Sequence, residues 1–260
     1  MESKTCLLIY FGNGYSEKEY SQTHGYEYSV DMRDTRQNHI KNINQPLIDL
    51  GYCVDVALVT NKHKYYDEFK KEYDAIDIQY EDLISNDEDI LFNFYVLKTP
   101  EMYGPGSMKS GGRFVKIRDR LPEYDLYVFV RTDTIFKMSL NDLKVDYEKI
   151  NYLWPETDYR FFTEEREHFM NQFGTDKVFW NSYNRVNGNL LNVVSKKYIN
   201  VFLTYFWLDH MSLSLMLRDL YPLITYEKDI NLMCGEDTCY VSDVEICNNP
   251  VYTFNKKIIY

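Results

Sequence analysis

YDLYVFVRTDTIF, residues 124–136, decides how the rest of the chain is read. Its first half carries an unbroken apolar run from Leu126 to Val130. A half-exposed strand would alternate, so this run predicts a strand buried on both faces of a parallel or mixed sheet. The run stops at Arg131, Thr132 and Asp133 before Ile135 and Phe136 resume the hydrophobic character. One carboxylate is thereby delivered at the carboxyl end of a core strand, and in open α/β sheets ligands bind in the crevice outside those ends. Two readings of Asp133 stand side by side. A hard cation such as Mg²⁺ or Mn²⁺ takes oxygen ligands and is commonly held by one or two carboxylates with substrate phosphates, which suits Asp133. A turn aspartate paired with Arg131 fits the same spacing.

Upstream, CLLIYFGNG (6–14) reads as a first strand ending at Gly12, in a Gly-x-Gly turn that lacks the full dinucleotide fingerprint. A polar, Tyr-rich loop is expected from there to about Arg33. Ile40, Ile43, Leu47 and Leu50 then recur at helical spacing, with Gly51 as the stop. CVDVALVTN (53–61) follows as a second buried strand that places Thr60 and Asn61 at its carboxyl end. The unit is β-α-β, so both strand ends face the crevice of Asp133. Tyr65, Phe69 and Tyr73, spaced by four, predict an amphipathic helix over 62–73.

PEMYGPGSMKSGGRF (100–114) crowds Gly104, Gly106, Gly111 and Gly112 into one stretch, which marks a loop. Lys109, Ser110 and Arg113 stand at its end, just before a helix expected over 114–121, where backbone N–H groups and cations suit a phosphate. A surface loop that binds nothing is the competing reading. Downstream, a strand is expected near Tyr152 to Trp154, with Asp158 beyond it. Trp180 and Asn181 suit a sugar ring, although a core Trp is the commoner case. The segment from Leu190 to Leu217 reads as one or two buried helices, with His210 a hydrogen-bonded core residue. Glu236 and Asp237 sit in a polar turn and offer a general base for a hydroxyl. They equally suit the cap and first turn of a helix, the preferred reading of the two.

A formal net charge of −11 argues against nucleic acid as a partner, because phosphate backbones are held by Lys and Arg clusters and no basic run occurs here. An acidic chain that binds an anionic ligand needs a local cation, which again points to a metal. At 45% hydrophobic and 27% charged, the composition is that of a soluble globular protein. Cys6, Cys53, Cys234, Cys239 and Cys247 form no C-x-x-C pair, so reduced thiols and a cytoplasmic setting are expected. No stretch approaches the length that spans a bilayer.

The order of these elements, with YDLYVFVRTDTIF at its centre, resembles the small nucleotide-sugar glycosyltransferases of the GT-A fold, more narrowly those carried by large DNA viruses of algae and by bacterial surface-polysaccharide loci. In that family an Asp-x-Asp metal motif often survives as Arg-x-Asp, here Arg131-Thr132-Asp133, which leaves one motif carboxylate. The stretch VFWNSYNRVNGNLLNVVSKKYINVF (178–202) resembles the family's acceptor-side segment. The resemblance implies a single α/β domain built on a Rossmann-like mixed sheet flanked by helices. Residues 1–136 would bind the nucleotide sugar and 137–260 the acceptor. It implies transfer from a nucleotide-diphosphate donor, UDP-sugar foremost, to a glycan or glycoprotein hydroxyl. Mn²⁺ or Mg²⁺ would sit on Asp133, Lys109 and Arg113 would assist, and Gly12 and Thr60 would border base and ribose. Asp158, Glu236 and Asp237 stay open as the base. Two other classes remain in view: a noncatalytic sugar- or nucleotide-binding, virion-associated protein of the same fold, and a Rossmann-like methyltransferase.

Overall fold

The computed structural model describes residues 3–12, 14–20, 27–60, 63–75, 121–153, 191–206, 229–234, 251–254 and 257–259. In chain order the elements are β1 (Lys4–Gly12), β2 (Tyr15–Tyr20), β3 (Glu27–Asp31), α1 (Arg33–His39), α2 (Gln45–Asp49), β4 (Tyr52–Thr60) and α3 (Tyr66–Glu72). They continue with β5 (Leu126–Arg131), β6 (Thr134–Phe136), β7 (Ile150–Tyr152), β8 (Leu191–Ser195), α4 (Ile199–Phe206), β9 (Ile230–Leu232), β10 (Tyr252–Phe254) and β11 (Lys257–Ile259). Among the described residues, six strands form one mixed sheet in the order β4-β1-β5-β8-β7-β9. β1 runs parallel to β4 and β5, β8 runs antiparallel to β5 and β7, and β7 runs parallel to β9. This is the expected α/β architecture with a mixed sheet.

The apolar run in β5 is explained by cover on both sides, with every residue from Leu126 to Val130 at most 3% exposed. Leu126, Val128 and Val130 pack with Leu8 and Tyr10 of β1 and with Ile43, Leu47 and Phe69 from the helices. Tyr127 and Phe129 point the other way, into Leu7, Ile9 and the α4 residues Phe202 and Leu203. Burying side chains of this size contributes about 1.5–3 kcal/mol each.

Between β3 and β4 the chain is helical, but one wide turn over Ile40–Asn44 separates α1 from α2. Pro46 has no N–H to offer the carbonyl four residues back, and the ladder relaxes to a five-residue step in which the Gln45 N–H reaches Ile40 O. Gly51, at φ +88°, ends the helix as expected. The buried stripe is Thr35, His39, Ile43 and Leu47; Leu50, expected on it, is 45% exposed.

Two segments differ from expectation. The Tyr-rich stretch before Arg33 holds β2 and β3, an antiparallel pair extended by β11. Tyr and Val favour strands, and the partner that completes the pairing comes from the far end of the chain, out of range of local periodicity. Leu191–Ser195 is a strand, not the start of a helix. Short apolar runs do not distinguish the two, and β-branched Val193 and Val194 lie between β5 and β7, which offer ladders on both sides. The strand expected near Tyr152 to Trp154 is centred slightly earlier, on β7. The loop expected over 100–114 and, apart from Leu121, the helix expected over 114–121 lie outside the described residues. So do Trp180, Asn181 and His210.

Candidate functional site

The chain leaves β1 to form β4 on one side, while β5 lies on the other, so the carboxyl ends of β1 and β5 bound the switch point of the sheet. Gly12 stands opposite Thr60, and Phe11 opposite Arg131. The Thr132 N–H donates to Phe11 O at 2.9 Å, carrying the ladder into the turn. Glycine is required at position 12 on two counts. Its φ is +107°, and a Cβ there would meet Thr132 Oγ1 at 3.3 Å and Arg131 Cγ at 3.7 Å.

Asp133 follows in the turn and is 4% exposed. Arg131 Nη2 donates to its Oδ2 at 3.0 Å. Arg131 Nε lies 2.6 Å from Oδ1 but off the N–H axis, so that contact is an ion pair and Oδ1 carries no hydrogen bond among the described residues. The pairing with Arg131 is therefore present.

The turn is held from the helix side. Thr35 Oγ1 donates to Thr132 O at 2.8 Å, and His39 Nε2 donates to Thr134 O at 2.6 Å. Asn38 both donates to Phe136 O (2.8 Å) and accepts from Phe136 N (2.7 Å), and Asn42 donates to the same carbonyl at 3.0 Å. Four polar side chains of the crossover thus pin the backbone on each side of Asp133.

His39 is fully buried, stacked on Tyr10 with ring centroids 5.2 Å apart. A carbonyl acceptor fixes its neutral tautomer with the proton on Nε2. Burial pushes its pKa down to about 4, although the Thr134 carbonyl and the Asp133 charge pull the other way. Native protein holds this imidazole neutral, whereas the unfolded chain takes up a proton near the ordinary value of 6.5. His39's contribution is therefore complete above that value and is lost as pH falls from about 6.5 through about 4, by about 3 kcal/mol in all. Urea midpoints measured between pH 7 and 4 should show this loss. His39→Gln, which keeps a donor for Thr134 O, should flatten it; an unchanged slope in that variant refutes the assignment.

Beside β4, Thr60 is 5% exposed, and Gly14 lets the chain pass close to it. A Cβ on Gly14 would fall 2.8 Å from His63 Nε2 and 3.1 Å from Thr60 Cβ. His63 Nδ1 accepts from the Tyr65 N–H at 3.2 Å, which leaves the proton on Nε2, and burial lowers its pKa. Tyr15 meets Tyr65 edge-on at 4.7 Å, and Arg33 lies over the Tyr65 ring at 4.3 Å, its Nε donating to Asp31 Oδ1 and its Nη2 to Oδ2. An aromatic wall therefore flanks the Thr60 side of the crevice.

Gly12, Thr60, Arg131 and Asp133, all expected at the site, come together at the strand ends. Asn61, Lys109, Ser110, Arg113, Asp158, Glu236 and Asp237 lie outside the described residues. Among the described residues, no three His, Cys, Asp or Glu side chains gather where they could share a metal ion. Sequence reading missed Thr35, Asn38, His39 and the His63–Tyr65 wall. The available signal was His39 itself, a polar residue on the Ile43 and Leu47 stripe. Among the described residues no helix is long and apolar enough to cross a membrane. Cys6, Cys53 and Cys234 are free thiols, and burial pushes that of Cys6 well above its ordinary range.

No protein-family model and no curated protein matches this sequence. Among solved structures it is similar to the apo structure of WbbM, a bifunctional glycosyltransferase, at 13% identity and a TM-score of 0.33, over 80% of this chain and 34% of that one. The chain thus spans about a third of that protein's length. A likeness this distant leaves the function to be read from the site.

Proposed function

We propose that this chain is a glycosyltransferase that moves a sugar from a nucleotide-diphosphate donor, UDP-sugar foremost, to a hydroxyl of a glycan or glycoprotein, in the cytoplasm. One observation carries the reading. Of seven buried polar atoms without a hydrogen-bond partner among the described residues, four lie at or beside the switch point: Asp133 Oδ1, which faces the Arg131 guanidinium, His39 Nδ1, Thr134 Oγ1, and His63 Nε2 next to Thr60. Each such atom costs about 1–3 kcal/mol if nothing satisfies it, so their concentration at strand ends fits a polar ligand.

Asp133 Oδ1, which among the described residues carries no hydrogen bond and meets only the ion-pair contact of Arg131, would serve a divalent cation as one oxygen ligand, the remaining positions falling to phosphate and water oxygens. Mn²⁺ or Mg²⁺ bound there would supply Lewis-acid neutralisation of the leaving diphosphate. The chain's own residues do the rest. Gly12 lets the donor approach the backbone, Thr60 borders base and ribose, and Arg131 adds positive charge near the phosphates. Lys109, Ser110 and Arg113 assist on the phosphate side. One of Asp158, Glu236 and Asp237 takes the proton from the acceptor hydroxyl. Residues 1–136 form the donor half and 137–260 the acceptor half.

The noncatalytic alternative, a protein that binds a nucleotide sugar without turning it over, draws on the Arg131–Asp133 pair, which already occupies the carboxylate. Thermal-shift measurements with UDP, GDP, CMP and dTDP sugars, each with and without Mn²⁺, test the donor class. A rise in melting temperature with one nucleotide family is the expected result; no rise with any of them refutes the proposal. Release of free nucleoside diphosphate on incubation then separates the enzyme from the silent binder.

A further inference from the structure

The site holds one carboxylate and two prospective claimants on it, the guanidinium of Arg131 and a divalent cation. We propose that the Arg131–Asp133 pair is a latch that couples the two halves of the donor complex. Arg131 occupies Asp133 until a diphosphate draws the guanidinium away, and only then is the carboxylate open to the cation. The latch rests on the donor reading of the same site and adds to it the order in which charges are exchanged.

The geometry says which partner moves. Asp133 has a short side chain, 6% exposed, in a turn pinned by Thr35, His39 and Asn38 and by the Thr132–Phe11 hydrogen bond. Those bonds fix the backbone on both sides of Asp133, and its short side chain stays within the interior. Arg131 has a long side chain, 30% exposed, whose Cγ passes beside Gly12, where the missing Cβ leaves room for its stem. Its head is thus the longer-stemmed and more solvent-exposed of the two charged groups.

Chemistry sets the exchange. A dication on either oxygen of Asp133 would lie next to a guanidinium held within 3.0 Å of the same carboxylate, and like charges that close repel strongly. A diphosphate offers a guanidinium several charged oxygens with bidentate geometry, where Asp133 offers one charge. Moving Arg131 onto phosphate removes the repulsion and frees the carboxylate in a single step. By linkage the effect is reciprocal, so the cation must tighten diphosphate binding by the same factor.

Isothermal titration of the full chain with MnCl₂ alone, with UDP in EDTA, and with UDP in Mn²⁺ tests this. In the wild type each ligand is expected to tighten the other about 10-fold or more, within the usual range for coupled sites. Arg131→Gln, which keeps a polar stem and loses the charge, is expected to bind Mn²⁺ alone about 10-fold more tightly and to show a coupling smaller by the same factor, the remainder coming from direct phosphate contact with Mn²⁺. Arg131→Lys, which keeps the charge, should retain weak Mn²⁺ binding. Adding Asp133→Asn to Arg131→Gln should abolish the gain, and circular dichroism should confirm that all variants are folded. An unchanged or weaker Mn²⁺ affinity in Arg131→Gln overturns the latch. A wild type that binds UDP equally with and without Mn²⁺ also overturns it and leaves the donor reading standing. No UDP binding under either condition overturns the donor reading itself, and the latch with it.

Discussion

Asp133→Asn is expected to abolish sugar transfer while leaving the fold intact. The amide matches the carboxylate in shape and still accepts a hydrogen bond from Arg131, so the turn keeps its contacts with Phe11, Thr35 and His39. What it loses is the negative charge that would hold a dication against the leaving diphosphate. Removing one such electrostatic contact from a reaction centre costs roughly 10²–10³ in turnover. Stability should change far less. The charge left behind, on Arg131, is 30% exposed and keeps a hydrogen bond to the amide, so it is not stranded in the interior. The measurements are nucleoside diphosphate release, far-ultraviolet circular dichroism and the urea midpoint. Full activity in a folded variant would remove Asp133 from the mechanism.

The largest effect on stability is expected away from the crevice, at Asn151. This fully buried side chain joins three strands and a loop. Its Nδ2 group donates to the carbonyls of Asp146 (2.7 Å), Val193 (2.8 Å) and Lys149 (3.2 Å), while its Oδ1 accepts from Asp146 N (2.8 Å) and Asn231 Nδ2 (2.7 Å). Asn151→Ala would strand buried carbonyls and an N–H without partners, each costing about 1–3 kcal/mol, so a loss of about 3–5 kcal/mol is expected in urea denaturation. That is a large part of the 5–15 kcal/mol typical of a whole domain. Asn151→Asp keeps the shape and the acceptor but loses the donors and buries a charge, and should be at least as damaging at pH 7. A loss under about 1 kcal/mol in Asn151→Ala would show that water satisfies these groups instead.

Much of the frame was readable because its signals are local. The uninterrupted runs of β5, β1 and β4 and the spacing of Ile43 and Leu47 each report burial within a few residues of chain. The arrival of Gly12, Thr60 and Asp133 at one edge followed from strand direction alone. The hairpin of β2 and β3 and the strand identity of Leu191–Ser195 were not readable, because each depends on partners contributed from elsewhere. The site shows the same division. A carboxylate at a strand end was legible, but the four side chains that pin its turn were not, since nothing in the spacing of Thr35, Asn38, His39 and Asn42 names the backbone atoms they would meet.

By itself, the sequence determined the layered α/β plan and the strand end at which Asp133 emerges, because hydrophobic period and turn chemistry act over a handful of neighbouring residues. Only the tertiary structure decided that Asp133 lies against Arg131, that His39 stays neutral beneath it, and that Asn151 ties β7 to β8 and β9. Those outcomes depend on distance and desolvation between groups far apart in the chain, which no local pattern encodes.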